Sequence, residues 1–459
     1  MFVIHLHGQI KWLFYVCKSK KHEILLSERI QKERVMEQFV RVFNLCVFIV
    51  FTLMYAYQVL YAIVGFIYRK PLRNDEPPRA FHRFAVIIAA RNERTVIGHL
   101  INSIHNQNYP KDALDVIVIA DNCTDDTAQI CREHGAIVYE RNDTSRIGKG
   151  YALDFLFKQM MQNGSFESYE GYCVLDADNL LDENFIAEMN KMFDKGHRIL
   201  TSYRNSKNYD DNWISAGYAL WFMREARYLN NPRMRLGSSC AISGTGFLVH
   251  RDIIAKNNGW KHHLLTEDIE FTIDSVIAGE KIGYCEYAVL YDEQPTTMKQ
   301  SWDQRLRWAK GFYQVLSHYG KRLWKNIFSS RKKALPCFDM FMTVAPAYLF
   351  TLLTILINLT ILITSCFVPN MGTEIRVATG SAIGSALLSF YLMFMLMGTL
   401  TVITEWDKIK CSPGKKIWYL ILFPVFLFTY VPISVIALFK KVVWKPVEHT
   451  EAKTLDEVR

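Results

Sequence analysis

The sequence predicts an α/β domain set between membrane helices, and three observations carry that prediction. Four long runs lack Asp, Glu, Lys and Arg, short apolar runs alternate with helical stretches between them, and acidic residues follow several of the short runs. The long runs are Val42 to Tyr68, Met340 to Met371, Val377 to Thr404 and Ile417 to Phe439. Each exceeds the roughly 20 apolar residues that cross a bilayer. The chain of 459 residues thereby divides into a leader (1–38), a membrane helix (39–68), a cytosolic domain (69–335), a C-terminal membrane region of about three helices (336–440) and a polar tail (441–459). The domain is long enough to bury its own core.

From Phe84 the short apolar runs are Phe84 to Ala90, Val116 to Ala120, Ala136 to Tyr139 and Tyr172 to Leu175, with helices near Thr95 to Asn106 and Asp125 to His134. This is the β-α-β pattern of a mostly parallel sheet. Ligands of such sheets bind at the carboxyl ends of the strands. The informative residues are therefore Arg91-Asn92-Glu93, Asp121-Asn122 and Asp176-Ala177-Asp178.

The formal net charge of +9 does not point to nucleic acid, because basic residues gather beside the apolar runs, as in Arg69, Lys70 and Arg73 or Arg331, Lys332 and Lys333. Such flanks suit the anionic cytoplasmic leaflet. The ten cysteines lack CxxC spacing and read as reduced packing residues. Phe2 to Cys17 is apolar but contains His5, His7 and Lys11, so it reads neither as a span nor as a signal peptide, and a start at Met36 would leave a simple leader.

Alternate residues leaving a strand can aim two carboxylates at one hard cation, so Asp176 and Asp178 are candidate Mg²⁺ or Mn²⁺ ligands against a diphosphate. A turn or helix cap accounts equally for such acids taken alone. Asp121 can accept from a base N–H or a ribose hydroxyl, while Thr124 and Asp125 read as caps of the next helix. Lys149, between Gly148 and Gly150, is either a diphosphate ligand or an exposed lysine in a turn. Thr266-Glu267-Asp268 opens a helix, as cap and dipole-favoured acids or with Asp268 as a general base. In Gln304-Arg305-Leu306-Arg307-Trp308 the spacing puts Gln304, Arg307 and Trp308 on one helical face. The aromatic and basic stretch from Trp302 to Trp324 also suits a helix lying at the membrane surface.

In this order the motifs resemble the processive, membrane-integrated family 2 glycosyltransferases, the hyaluronan, chitin, cellulose and poly-N-acetylglucosamine synthases. The resemblance runs from about Phe84 to Gln314. Ala89-Ala90-Arg91-Asn92-Glu93 is similar to the first nucleotide-contacting loop, with Ala89 where many relatives carry proline. Asp121 resembles the uracil-binding aspartate, Asp176 and Asp178 the DxD, Thr266 to Asp268 the TED motif, and Gln304, Arg307 and Trp308 the QxxRW motif.

The resemblance implies a GT-A fold, a UDP-sugar donor bound by Ala89, Arg91, Glu93, Asp121, Lys149, Asp176 and Asp178, and a divalent cation on Asp176 and Asp178. It further implies Asp268 as base, inversion at the anomeric carbon, Gln304, Arg307 and Trp308 at the diphosphate and acceptor, and a polysaccharide passed outward through the bilayer. Related transferases that glycosylate a lipid leave a single-transfer enzyme as the alternative, and a non-catalytic membrane scaffold is the third reading. Ser243-Gly244-Thr245-Gly246-Phe247 stands where the acceptor entrance is lined, in wording that does not identify the polymer.

Four helices are fewer than the largest synthases use, so a channel calls for a second copy or accessory secretion subunits. A cytosolic domain and an inward linker at Lys408, Lys410, Lys415 and Lys416 would send both termini outside if all four runs crossed. Lys11, Lys18, Lys20 and Lys21 at one end and Lys440, Lys441 and Lys445 at the other oppose this, and a last segment re-entering at Pro424 and Pro432 relieves the conflict.

Overall fold

The computed structural model describes residues 2–68, 76–345, 347–367, 373–444, 446 and 449–459. The expected basic flank of Arg69, Lys70 and Arg73 and the tail residue Lys445 lie outside them. The chain forms two compact units, Met1–Ala56 with Ala347–Tyr391, and Tyr57–Pro346 with Leu392–Arg459. One helix, α1 (Phe2–Ile67), runs the expected leader and the first apolar run together without a break.

The second unit is built on eight strands, β1 (Phe84–Ala90), β2 (Leu114–Asp121), β3 (Ile137–Arg141), β4 (Gly171–Asp176), β5 (Leu180–Leu181), β6 (Ile199–Ser206), β7 (Phe247–His250) and β8 (Ile282–Asp292). They form one sheet in the order β3-β2-β1-β4-β7-β6-β8-β5. Strands β3, β2, β1 and β4 are parallel, and their register sets Ala89 opposite both Ile119 and Asp176, so the acidic ends of β2 and β4 finish nearly level. In β1, β2 and β4 the near-continuous apolar runs follow from burial on both faces, whereas the edge strand β3 is partly exposed. Alternate residues serve two cores: Ala85, Ile87, Ile117 and Ile119 on one side, and Phe84, Val86, Val116 and Val118 on the other.

The mostly parallel sheet expected from the sequence holds for those four strands and for β6 with β8, while the other pairings are antiparallel. β7 pairs antiparallel with β4 and β6, and β5 antiparallel with β8, while β6 and β8 are parallel. The reversal is made just before β7, where Gly244 (φ 80°) and Gly246 (φ 66°) take the left-handed conformation. At Gly246 a Cβ would also meet Leu290 Cδ2 and Ser202 Oγ at 2.1 and 2.3 Å.

The covering helices are α2 (Ile97–His105), α3 (Thr127–Glu133), α4 (Lys149–Gln162), α5 (Phe185–Asp194), α6 (Trp213–Glu225), α7 (Asn231–Arg235), α8 (Arg251–Lys256), α9 (Glu267–Ala278), α10 (Met298–Ile327) and α11 (Arg331–Val344). Beyond them lie α12 (Ala347–Phe367), α13 (Thr373–Thr404), α14 (Pro413–Phe428), α15 (Tyr430–Phe439) and a last turn, α16 (Leu455–Val458). The expected cap residues of α3 divide their work. Asp125 Oδ1 accepts from the Thr127 N–H and hydroxyl, whereas Thr124 bonds to Asn92.

Among the described residues three helical stretches are long and apolar enough to cross a membrane, Arg34–Ile67, Ile375–Thr404 and Pro413–Phe439, and a shorter one is Thr354–Phe367. The run expected from Met340 to Met371 is interrupted, because α11 ends at Val344 and Ala345 is extended (φ −74°, ψ 150°), as suits a residue before proline. Met371 lies outside the described residues. The nine described cysteines are unpaired, and Cys131, Cys173, Cys240, Cys285 and Cys337 are buried in packing positions.

Within the second unit, buried ion pairs and hydrogen bonds tie the helices to one another and to the sheet. Arg233 donates to both oxygens of Asp339 at 2.7 and 2.8 Å, and the Tyr61 hydroxyl adds a bond of 2.9 Å. Arg227 pairs with Glu286 at 3.0 Å, and Tyr203 donates to Glu405, just past α13, at 2.8 Å. On α6, Gly217 lets Phe426 of α14 approach to where a Cβ would stand 2.5 Å away. Removing one partner of a buried pair leaves an uncompensated charge. Arg233→Met is therefore expected to cost about 3–5 kcal/mol, read as a large fall in the thermal midpoint of the detergent-purified protein; an unchanged midpoint would show that the Asp339 pair does not stabilise the fold.

Candidate active site

The site is assembled at the carboxyl ends of the strands. Two asparagines, Asn92 after β1 and Asn122 after β2, turn the chain with positive φ (57° and 55°), a conformation asparagine tolerates better than most residues. Asn92 Oδ1 accepts from the Thr124 N–H at 2.8 Å, tying the first loop to the second. Ala89 is half-buried in β1, and the Arg91 guanidinium lies 5.6 Å from the Trp444 ring. Glu93 caps α2 through its carbonyl, and its carboxylate meets His449 Nδ1 at 3.0 Å.

Asp121 is only 5% exposed. Its Oδ1 accepts from Arg141 Nη1 and from Asn122 Nδ2, which leaves Oδ2 as the remaining acceptor. Burial pushes this carboxyl up, with Arg141 opposing.

Asp176 ends β4, and the turn behind it is clamped. Its N–H donates to Thr245 Oγ1 at 2.9 Å and to Asn179 Oδ1 at 3.2 Å, and Thr245 donates in turn to Asn179. The two aspartates then differ in setting. Asp176 has a side chain 38% exposed, whereas Asp178 is 6% exposed and accepts the Glu293 N–H at 3.0 Å. Burial penalises the Asp178 charge, but His449, Lys207 and that N–H overcome the penalty and hold its carboxyl below the usual range. Arg204 pairs with Asp292 at the end of β8, whose carboxyl burial pushes up to about 6.

Lys149 is the first residue of α4 and is not an exposed turn lysine. Its ammonium donates to Asp176 Oδ1 and to the Gly244 carbonyl at 2.9 Å. Burial opposes its charge, yet Asp176 and Glu267 hold its pKa above the ordinary lysine value. Gly150 beside it is obligatory, since a Cβ would stand 2.1 Å from the His262 carbonyl oxygen. The other face of the Gly244 peptide reaches the third acid, for its N–H donates to Asp268 Oδ2 at 2.7 Å. Asp176, Lys149, Gly244 and Asp268 thus form one continuous chain of contacts.

Asp268 lies in the first turn of α9, where Thr266 holds the cap position without a side-chain cap bond. Burial raises both acids of this turn. Asp268 moves up against its N–H partners, and Glu267 reaches about 7, with the neighbouring Asp268 adding to the effect. Gly311 of α10 seats against Thr266, where a Cβ would approach to 2.5 Å.

On α10, Trp308 packs edge-to-face on Tyr218 and Phe222 of α6, at 5.7 and 6.1 Å between ring centres. Arg307 lies 6.0 Å from the Trp444 ring. Gln304 Oε1 is buried without a hydrogen-bond partner. Arg305, which carried no separate role in the sequence, donates to the Phe426 carbonyl at 3.1 Å and Thr429 Oγ1 at 2.7 Å, tying α10 to the end of α14.

Among the described residues no three His, Cys, Asp or Glu side chains converge as a ready metal cage. Asp176 and Asp178 still fit a hard cation, since Mg²⁺ and similar ions use one or two carboxylates and complete their shell with phosphate and water oxygens. Sequence reasoning missed Thr245 and Asn179, which aim the Asp176 turn, and Glu293, His449 and Lys207 around Asp178. Thr245 sits in a segment the sequence does single out, but its partner is distant in sequence.

The sequence pattern of the Glycosyltransferase like family 2 matches residues 82–311. A probable glycosyltransferase, YdaM, of Bacillus subtilis is 28% identical over 76% of this chain and 79% of its own length. A beta-monoglucosyldiacylglycerol synthase of Nostoc is 26% identical, with 58% of this chain and 55% of that protein covered. For a poly-beta-1,6-N-acetyl-D-glucosamine synthase of Staphylococcus epidermidis the figures are 24%, 56% and 63%. A mannosyltransferase from Pyrobaculum calidifontis, solved with GDP-Man and Mn²⁺, aligns over 87% of this chain and 99% of its own at 16% identity and a TM-score of 0.49.

Thr245→Val keeps the side-chain shape and strips the acceptor from the Asp176 N–H and the donor from Asn179. The Asp176 N–H keeps its 3.2 Å bond to Asn179 Oδ1, so two hydrogen bonds of about 0.5–1.5 kcal/mol each are lost, and a drop of about 1–3 kcal/mol is expected in a denaturant or thermal unfolding measurement. A variant as stable as the parent would show that the clamp contributes nothing.

Proposed function

Since the chain belongs to the Glycosyltransferase like family 2 and builds its site on the mixed α/β sheet of a GT-A domain, we propose that it is an inverting transferase. It moves a sugar from a UDP-sugar to a hydroxyl of a growing β-linked polysaccharide at the membrane, processively and with coupled secretion. The observation that carries the reading is the Gly244 peptide, which joins the Asp176–Lys149 pair on one side to Asp268 on the other. An inverting transfer needs a base and a diphosphate site beside one sugar, because the hydroxyl enters on the face of the sugar away from the departing diphosphate.

In the reaction the acceptor oxygen forms a bond to the anomeric carbon as the bond from that carbon to the UDP oxygen breaks. The hydroxyl proton passes to the Asp268 carboxylate, which the Gly244 N–H holds in place. Asp176 and Asp178 are the residues that would hold a divalent cation, Mg²⁺ or Mn²⁺, which when bound would neutralise charge on the leaving diphosphate. Lys149 and Arg307 supply further positive charge to the diphosphate. Asp121 Oδ2 takes the nucleoside, in a loop shared with Arg91 and Glu93, and Ala89 keeps the strand end slim beside it. Trp308, backed by Tyr218 and Phe222, offers a face for a sugar ring, and Gln304 Oε1 lies buried one turn away.

The three apolar stretches support a multi-pass protein of the cell membrane, with this domain in the cytoplasm where nucleotide sugars are made. A channel would call for a second copy or secretion subunits. The diacylglycerol-directed relatives favour a second reading, a single transfer to a membrane lipid.

Membranes supplied with one UDP-sugar and Mn²⁺ are expected to give a ladder of products on a gel; one lipid-linked sugar would replace the polymer reading by the lipid one. Asp268→Asn should lower turnover by about 10²–10⁴-fold, and retained wild-type turnover would remove Asp268 as base. Because the base must be ionised and burial raises the Asp268 carboxyl above its ordinary value, kcat/KM should begin to fall, as pH drops, while the pH is still above the ordinary carboxylate range. A profile flat down to the ordinary carboxylate range would contradict this assignment.

A further inference from the structure

The chain's own tail lies across the mouth of this cleft. His449 Nδ1 is 3.0 Å from Glu93 Oε2 after β1. The Thr450 and Glu451 N–H groups donate to the two oxygens of Glu293 after β8, at 3.0 Å each. Lys453 donates to the Lys207 carbonyl after β6 at 3.3 Å. Val458 is 4% exposed against Leu180 and Tyr291, and Arg459 pairs with Asp182 at 2.9 Å and Glu183 at 3.2 Å, after β5. Upstream, the Trp444 ring stands between Arg91 and Arg307. The tail therefore meets in turn the segments after β1, β8, β6 and β5, touching Glu93 of the first loop and Glu293, whose N–H holds Asp178, while Trp444 just upstream faces Arg91 and Arg307.

We propose that residues 449–459 are a removable autoinhibitory strap that competes with a nucleoside diphosphate and its divalent cation for the mouth of the cleft. The competition follows from charge. The acidic pocket of Glu93, Asp178 and Glu293 takes either the His449 ring and the tail amides or a metal-bound diphosphate. Arg91 and Arg307 likewise face either the Trp444 indole or phosphate oxygens. The far anchor at Val458 and Arg459 rests on Leu180, Tyr291, Asp182 and Glu183, none of which is assigned a part in the chemistry, so the strap can be loosened without substituting a site residue. This inference rests on the UDP-sugar reading above.

The test uses the full chain. The double variant Val458→Asp, Arg459→Ala is expected to lower KM for the donor about fivefold, with kcat unchanged, because a larger fraction of molecules becomes competent to bind. An unchanged or raised KM would overturn the strap. Hydrogen exchange of the unmodified protein supplies an independent arm. Adding UDP with Mn²⁺ should speed exchange at the Thr450 and Glu451 amides as the tail lifts, whereas slower exchange would show a tail that closes over the nucleotide and would overturn the proposal. If the protein consumes no UDP-sugar yet the tail lifts on adding UDP and Mn²⁺, the strap stands and the transferase reading fails.

Discussion

The arrangement depends on the Gly244 peptide, which gives its N–H to Asp268 and its carbonyl to the Lys149 ammonium. Without that link Asp268 would lose an N–H donor and the Lys149 ammonium a carbonyl partner among the carboxylates of Asp176, Glu267 and Asp268. Buried charges persist only where partners and hydrogen bonds compensate them. Here Lys149 stands among the carboxylates, backbone N–H groups satisfy Asp178 and Asp268, and Arg204 and Lys207 face Asp292 and Asp178 from the next strands. Glycine fits at 244 because φ is 80°, and the same turn reverses the chain into the antiparallel β7. Sheet topology and site chemistry therefore meet at one residue.

The parallel half of this molecule was legible from sequence because its signals are local. Apolar runs at Phe84–Ala90 and Gly171–Asp176 are short, buried on both faces and followed at once by polar residues, so strand ends and candidate acids could be read together. The antiparallel β7 was not legible, since its direction is set by two left-handed glycines whose partners lie in β4 and β6. Lys149 reads locally as a turn lysine as readily as a diphosphate ligand, and only the fold brings Asp176 and Gly244 to it. His449 and Glu293 could not be found at all by spacing, for they meet the first loop and the DxD turn from far along the chain.

The apolar helices show the same division. Composition identified the long runs, but not the extended Ala345 that separates α11 from α12, nor the Arg233–Asp339 pair that buries two charges beside α1. Arg305 is instructive because it lies inside a motif read for chemistry and instead ties α10 to the carbonyl end of α14. A helix bearing Arg307 and Trp308 is thereby fixed to an apolar helix, so the residues proposed for the acceptor and the packing of α14 share one element.

If Asp268 and the Asp176–Lys149 pair do act from opposite sides of one sugar, the stereochemistry of the first bond made must record it. The most direct measurement is the anomeric configuration, by proton NMR, of the product formed from a UDP-α-sugar. A β-linked product is the result this account predicts. An α-linked product would contradict it, because the hydroxyl would then have entered from the face that the diphosphate leaves.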